Sequence, residues 1–146
     1  MTEKLFNPRL IATVWAIYAA ATSAGYYGHS VTALTPVEAA LPAGSPALAW
    51  AAASLLLAIG AATPPKGKWA ALGRASRTAG IAICGALLTM WASSYAIDAI
   101  HDGSRMWVSA KNYLLLAITA AASATVMGRN RSRGEVAHGD QLGKLN

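Results

Sequence analysis

Four long segments of this chain carry no formally charged residue: 10–37, 39–65, 78–97 and 112–128. Each holds a mostly apolar run close to the roughly 20 residues that an α-helix needs to cross the hydrocarbon core of a bilayer. A soluble helical protein would instead place Lys and Glu along the outward face of each helix. Because the uncharged segments leave no room for such faces, the pattern predicts helices that cross a membrane.

Composition leads to the same interpretation. Only 12% of the 146 residues are charged and 55% are hydrophobic, whereas about 25% of the residues in an ordinary soluble domain are charged. We predict an all-α integral membrane protein with four transmembrane helices in a membrane domain of residues 1–128. A disordered basic and polar tail, residues 129–146, is expected to follow in the cytoplasm. The predicted spans are about 10–27, 46–63, 78–97 and 108–128.

Positive charges are concentrated at the ends of these spans. Segment 66–77, expected to be a loop, carries four of them and no negative charge. The residues expected to set the topology are Lys66, Lys68, Arg74, Arg77, Arg129, Arg131 and Arg133. If both termini are inside, the inner segments hold ten of the 12 Lys and Arg residues, and only Arg105 and Lys111 are outside. Since an excess of Lys and Arg marks the cytoplasmic side, we predict a bacterial inner-membrane protein with both termini in the cytoplasm.

The first span is only weakly hydrophobic, because Thr13, Thr22, Ser23 and Gly25 dilute its apolar residues. An alternative interpretation is a signal peptide that is cleaved near Thr22-Ser23-Ala24. Against cleavage, the apolar character continues beyond Ala24.

No Asp, Glu, Arg or His lies near the middle of a predicted span, although ion-coupled carriers usually need such a group there. Asp98, His101 and Asp102 form a weak polar cluster, since their spacing places them on one helix face. We interpret them as polar groups that end a helix at the interface, and a metal site or proton relay is the alternative. No motif of an enzyme or zinc site is found. We predict no enzymatic activity, cofactor, metal or nucleic-acid partner; the net charge of +6 suits anionic lipid headgroups instead.

Small residues four positions apart are candidates for helix packing, because they let helix backbones approach closely in lipid. Three such pairs are Ala21 with Gly25, Ala58 with Ala62, and Gly80 with Cys84. Cys84, the single cysteine, is expected to be a small residue at a helix contact.

The overall plan resembles that of small multi-span holins of bacteriophages, in particular the Ala-rich holins of phages that infect high-GC actinobacteria. The resemblance lies in the short chain, the weakly apolar spans without internal charge, and the basic tail that begins at Arg129. It implies a homo-oligomer that forms lesions in the host inner membrane and so releases or activates an endolysin. It transfers no individual functional residue.

Polar faces such as Thr13, Thr22 and Ser23, or Ser93 and Ser94, would line such a lesion. Two other functions remain open. One is a non-lytic accessory membrane protein, for superinfection exclusion or as a subunit of a complex. The other is a small transporter or channel, for which Asp98 or His101 would be indispensable.

Overall fold

The computed structural model describes residues 7–26, 41–42, 44–102 and 106–142, and the side chains of residues 7–26, 41–42, 44–101 and 106–127. All regular structure in this part of the chain is helical. The helices are α1 (Pro8–Gly25), α2 (Ser45–Ala62), α3 (Ala70–Asp102) and α4 (Met106–Leu142). The prediction of an all-α protein is confirmed.

Local sequence sets the ends of the first two helices. The Asn7 side chain accepts a 3.0 Å hydrogen bond from the backbone N–H of Arg9, and Pro8 occupies the first turn of α1. The backbone of Gly44, immediately before α2, has a φ of 80°, which favours glycine. Helix α2 ends just before Pro64, whose ring cannot continue a helix.

Helix α3 is longer than predicted. The expected loop 66–77 is a loop only as far as residue 69, because α3 begins at Ala70 and includes Arg74 and Arg77. Ala, Leu and Arg are good helix formers, and no proline interrupts them, so positive charge alone does not end the helix. The 33 residues of α3 measure roughly 50 Å at about 1.5 Å per residue. The helix therefore extends well beyond a hydrocarbon core of about 30 Å.

Helix α4 also passes its predicted boundary at Gly128 and continues to Leu142. The expectation of a tail without regular structure is therefore wrong for residues 129–142. Although this segment has no apolar face, a helix that is already formed adds one hydrogen bond for each residue it fixes and needs no new nucleus. The side chains of this extension lie outside the described residues.

Consecutive helices pack side by side in antiparallel directions. The start of α1 meets the end of α2, and the end of α1 meets the start of α2 through a 2.9 Å hydrogen bond from the Ser23 hydroxyl to the Ala47 carbonyl. Helix α1 has smaller contacts with α3 and α4. One of them is a 3.1 Å hydrogen bond that the Trp15 indole donates to the Ser123 hydroxyl of α4.

Stacked aromatic rings form the core near one end of these helices. Trp91 of α3 lies at the centre, with its ring centroid 5.5 Å from Trp50 of α2, 6.0 Å from Tyr113 of α4 and 6.1 Å from Tyr26, which directly follows α1. We call this group, extended by Tyr18 and Tyr95, the aromatic column. Because its members come from all four helices, the column ties the four helices together.

Large apolar side chains also cover the outside of the helices. Examples on each helix, with their exposed fractions, are Ile17 (66%), Leu48 (64%), Ile100 (81%) and Leu115 (56%). Water-soluble monomers rarely expose apolar surface on this scale. Three helical segments are long and apolar enough to cross a membrane: Ser45–Ala62, Ala70–His101 and Met106–Met127. The two features together indicate a membrane protein.

Candidate functional site

Two arginines from neighbouring helices cap the end of α2. The Nε atom of Arg9 donates to the Ala61 carbonyl at 2.7 Å, and its Nη2 atom donates to the Ala62 carbonyl at 3.3 Å. The Nη1 atom of Arg77 donates to the Gly60 carbonyl. The last carbonyls of a helix have no partner within it and lie at the negative end of its dipole, so cations are stabilised there. We call this arrangement the arginine clasp, and the end of the helices where it lies the basic end.

Two glycines make room for the clasp. A Cβ atom on Gly60 would lie 3.0 Å from both the Arg77 nitrogen and the Gly73 carbonyl oxygen. A Cβ atom on Gly73 would lie 2.7 Å from Cβ of Thr63. Any larger residue would push α2 and α3 apart at this level, so the glycines allow Arg77 to reach the end of α2.

The residues expected to set the topology do not occupy equivalent positions. Lys66, Lys68 and Arg74 are exposed, whereas Arg77 is buried, with 8% of its surface exposed. The Lys68 ammonium lies 5.6 Å from the ring centroid of Trp69, which is itself exposed. Arg129, Arg131 and Arg133 lie on α4, with side chains outside the described residues. Counting charges treated Arg77 as one loop cation among several, and only the fold places it in the clasp.

We expect Arg77→Gln to lower the free energy of unfolding by about 1.5–3 kcal/mol, the usual contribution of a hydrogen bond to a charged group. Thermal unfolding of the full chain in detergent micelles, followed by circular dichroism, measures the change. Arg74→Gln is the matched control, because Arg74 is exposed one turn away, and exposed substitutions usually change stability by about 0.5 kcal/mol or less. Equal losses in both variants would contradict a structural role for the clasp.

The candidate packing residues fall into two groups. Gly80 and Cys84 are buried, and Gly80 packs directly against Leu57 of α2. The other four, Ala21, Gly25, Ala58 and Ala62, are exposed on the outer surfaces of α1 and α2. Of the three pairs, therefore, only Gly80 and Cys84 are buried at a helix contact.

An open groove runs between α1 and α2 on their outer side. It has a volume of about 490 Å³ and is lined mainly by alanines. These are Ala16, Ala20, Ala58, Ala61 and Ala62. Ser54 also lines the groove, and its hydroxyl donates a 3.0 Å hydrogen bond to the Ala16 carbonyl. The small side chains leave both helix backbones open to close approach by another apolar surface.

The polar faces predicted to line a lesion are split by the fold. Thr13 and Ser93 are exposed, whereas Ser23 and Ser94 are buried and Thr22 is intermediate. Adjacent residues on a helix point about 100° apart, because a turn takes 3.6 residues. Ser93 and Ser94 therefore cannot line the same surface of this arrangement.

The polar cluster at the end of α3 is only partly described. Asp98 is half-buried and His101 is exposed, both on the last turns of the helix. The side chain of Asp102 lies outside the described residues. Among the residues whose placement is described, no three His, Cys, Asp or Glu side chains come together as metal ligands would.

The chain matches no protein-family model, no curated protein and no solved structure.

Proposed function

We propose that this chain is a holin-like protein of a bacterial inner membrane, which self-associates there and opens the bilayer. All four helices would cross the membrane, including α1, which equals α2 in length but is diluted by Arg9 and hydroxyl residues. The ten-to-two distribution of Lys and Arg would place the basic end and both termini in the cytoplasm. The lesion would release or activate an endolysin.

The observation that carries this proposal is the outer surface of the helices. It combines apolar residues with hydroxyl groups that already donate hydrogen bonds to backbone carbonyls of their own helix. Thr89 donates to the Gly85 carbonyl at 2.8 Å, and Ser93 donates to the Thr89 carbonyl at 2.9 Å. Thr119 of α4 bonds the Leu115 carbonyl in the same way, at 2.8 Å. Because each donor is satisfied within its own helix, the surface tolerates lipid.

The same hydroxyls can also face water. When neighbouring chains bring such faces together, water can hydrogen-bond to the Thr and Ser oxygens without breaking a helix. A surface of this kind is compatible with both a closed state in lipid and a wetted lesion. The exposed face of α3 near Thr89 and Ser93 is our candidate for the lesion wall.

Association between chains is supported by the small residues of the outer surface. In lipid, helices associate chiefly by close packing, and small residues permit it. The groove between α1 and α2 supplies such a surface. Of the three segments apolar enough to span a membrane, the one in α4 is also the least buried within the chain, which leaves it available for contacts with other chains.

Regulated expression in a bacterium, with and without an endolysin, tests the proposal. We expect the membrane potential to collapse after the protein has accumulated, and lysis to follow only when the endolysin is present. A membrane that stays polarised despite accumulation would contradict hole formation. Co-purification with another membrane protein, without depolarisation, would instead favour an accessory subunit.

A pair of substitutions tests the lesion wall. The double variant Thr89→Val and Ser93→Ala removes two exposed hydroxyls, and we expect it to delay or prevent depolarisation at equal protein levels. Its matched control, Thr89→Ser with Ser93→Thr, keeps both hydroxyls and should depolarise the membrane as the unmodified chain does. If the two double variants depolarise the membrane at the same time, this face of α3 does not line the lesion.

A further inference from the structure

Positive charge at the basic end exceeds what the helices can neutralise. Arg9 and Arg77 share the C-terminus of α2, which carries about half a negative elementary charge. Two guanidinium groups therefore leave roughly 1.5 positive charges uncompensated by that same dipole. Arg74 lies three residues before Arg77, on the same side of α3. It adds one more positive charge to this end of the helices. The basic end needs an anion.

No carboxylate with a described side chain supplies this anion. Asp98 is the one acidic residue whose side chain is described, and it lies at the opposite end of α3. Its distance from Arg77 along the helix is roughly 31 Å at a rise of about 1.5 Å per residue. At physiological ionic strength the Debye length is about 8 Å, so exposed charges that far apart are largely screened from each other. Among the described side chains, therefore, none supplies a counter-charge at the basic end.

The surroundings of these arginines point to a lipid rather than a free anion. Trp69 and Leu72 lie five and two residues before Arg74, at the start of α3. Their side chains are 56% and 49% exposed. Tryptophan is enriched where a membrane protein meets the headgroup layer. A ligand that satisfies both features has a negative phosphate for the arginines and hydrocarbon for the indole and leucine side chains.

We propose that Arg74 binds the phosphate of an anionic phospholipid at the basic end. A guanidinium group suits this role, because its planar set of N–H donors matches phosphate oxygens. Arg74 is exposed and can reach a headgroup. Arg77 is buried in the clasp and Arg9 is held by the last two carbonyls of α2, so both add positive potential behind this site. The proposal rests on membrane residence and not on hole formation.

Native mass spectrometry of the full chain in a neutral detergent tests this site. We expect phosphatidylglycerol to remain bound at least about five-fold more than phosphatidylcholine, the ratio that corresponds to roughly 1 kcal/mol for one basic residue near an anionic surface. Arg74→Gln should reduce this preference several-fold. Lys111→Gln is the matched control, because Lys111 is also exposed but lies near the start of α4, at the opposite end.

Three results would overturn the proposal. One is equal retention of the two lipids, and another is an equal loss of preference in the Arg74 and Lys111 variants. The third is displacement of the lipid by millimolar inorganic phosphate, which would identify a site for free anions. Thermal unfolding of each variant in the same detergent separates lost binding from lost folding. If the chain binds phosphatidylglycerol as expected but never depolarises a membrane, the proposed lipid site is supported and only the proposed function is contradicted.

Discussion

Replacing Gly80 with alanine is expected to lower the free energy of unfolding by about 1–3 kcal/mol, the usual cost of overpacking a helix contact. The added Cβ would lie 2.6 Å from Cγ of Leu57 and 3.1 Å from both the Ala53 carbonyl oxygen and the Leu57 nitrogen. Two of these three atoms belong to the backbone of α2, so a change of side-chain rotamer cannot relieve the clash. The two helices must move apart.

Thermal unfolding in detergent micelles measures this loss, and Gly85→Ala provides the control on the same helix. A Cβ on Gly85 would meet only Cβ of Ala120, at an ordinary contact distance of 3.8 Å. Since alanine stabilises a helix interior by about 0.5–1 kcal/mol relative to glycine, Gly85→Ala should melt at or above the temperature of the unmodified chain. If Gly80→Ala does the same, α2 and α3 do not approach as closely as described.

Predictions that depend on local sequence gave the ends of α2 closely but only the middle part of α3. Helix α2 was predicted over 46–63 and is found at Ser45–Ala62, because Gly44 and Pro64 bound its apolar run. Helix α3 was predicted over 78–97 and is found at Ala70–Asp102. The apolar run marks only the part of α3 that suits lipid, whereas the helix continues through any residue that tolerates helical geometry.

Predictions that depend on tertiary contacts were less complete. Spacing by four residues places Ala21 and Gly25 on one face of α1, yet it does not say whether that face meets another helix or the surroundings. Ala21 and Gly25 are exposed on the surface of the helices, whereas Gly80 and Cys84 are buried between helices. Likewise, a count of charges cannot reveal that Arg77 finds a carbonyl acceptor on another helix.

The aromatic column is a feature that sequence reasoning missed. Trp50 and Trp91 stack with an interplanar angle of 5°, although they are far apart in sequence. In the sequence, each is one residue of a separate apolar span, 46–63 or 78–97. Pairing them requires the relative depth of α2 and α3, which is set by contacts such as that of Gly80 with Leu57.

Truncation of this column at its centre is expected to have the largest effect on stability. Trp91 is only 3% exposed and contacts the rings of Trp50, Tyr113 and Tyr26. Trp91→Ala should lower the free energy of unfolding by about 3–5 kcal/mol, as is usual for a large buried aromatic residue. Each lost ring pair contributes about 0.5–1.5 kcal/mol of specific geometry beyond the buried area. The near-ultraviolet circular dichroism of the stacked rings should decrease together with the melting temperature.

Trp107→Ala is the control, because Trp107 is 64% exposed and should contribute little to stability.

The two variants also bear on the proposed function. If chains must loosen their own helix contacts before they join to open the bilayer, Trp91→Ala lowers that barrier, and depolarisation should begin earlier at equal protein levels. Trp107→Ala should leave the onset unchanged. If the Trp91→Ala chain melts at the same temperature as the Trp107→Ala control, the column does not tie the helices together. If it is unstable but depolarisation begins later, the packed arrangement itself forms the lesion.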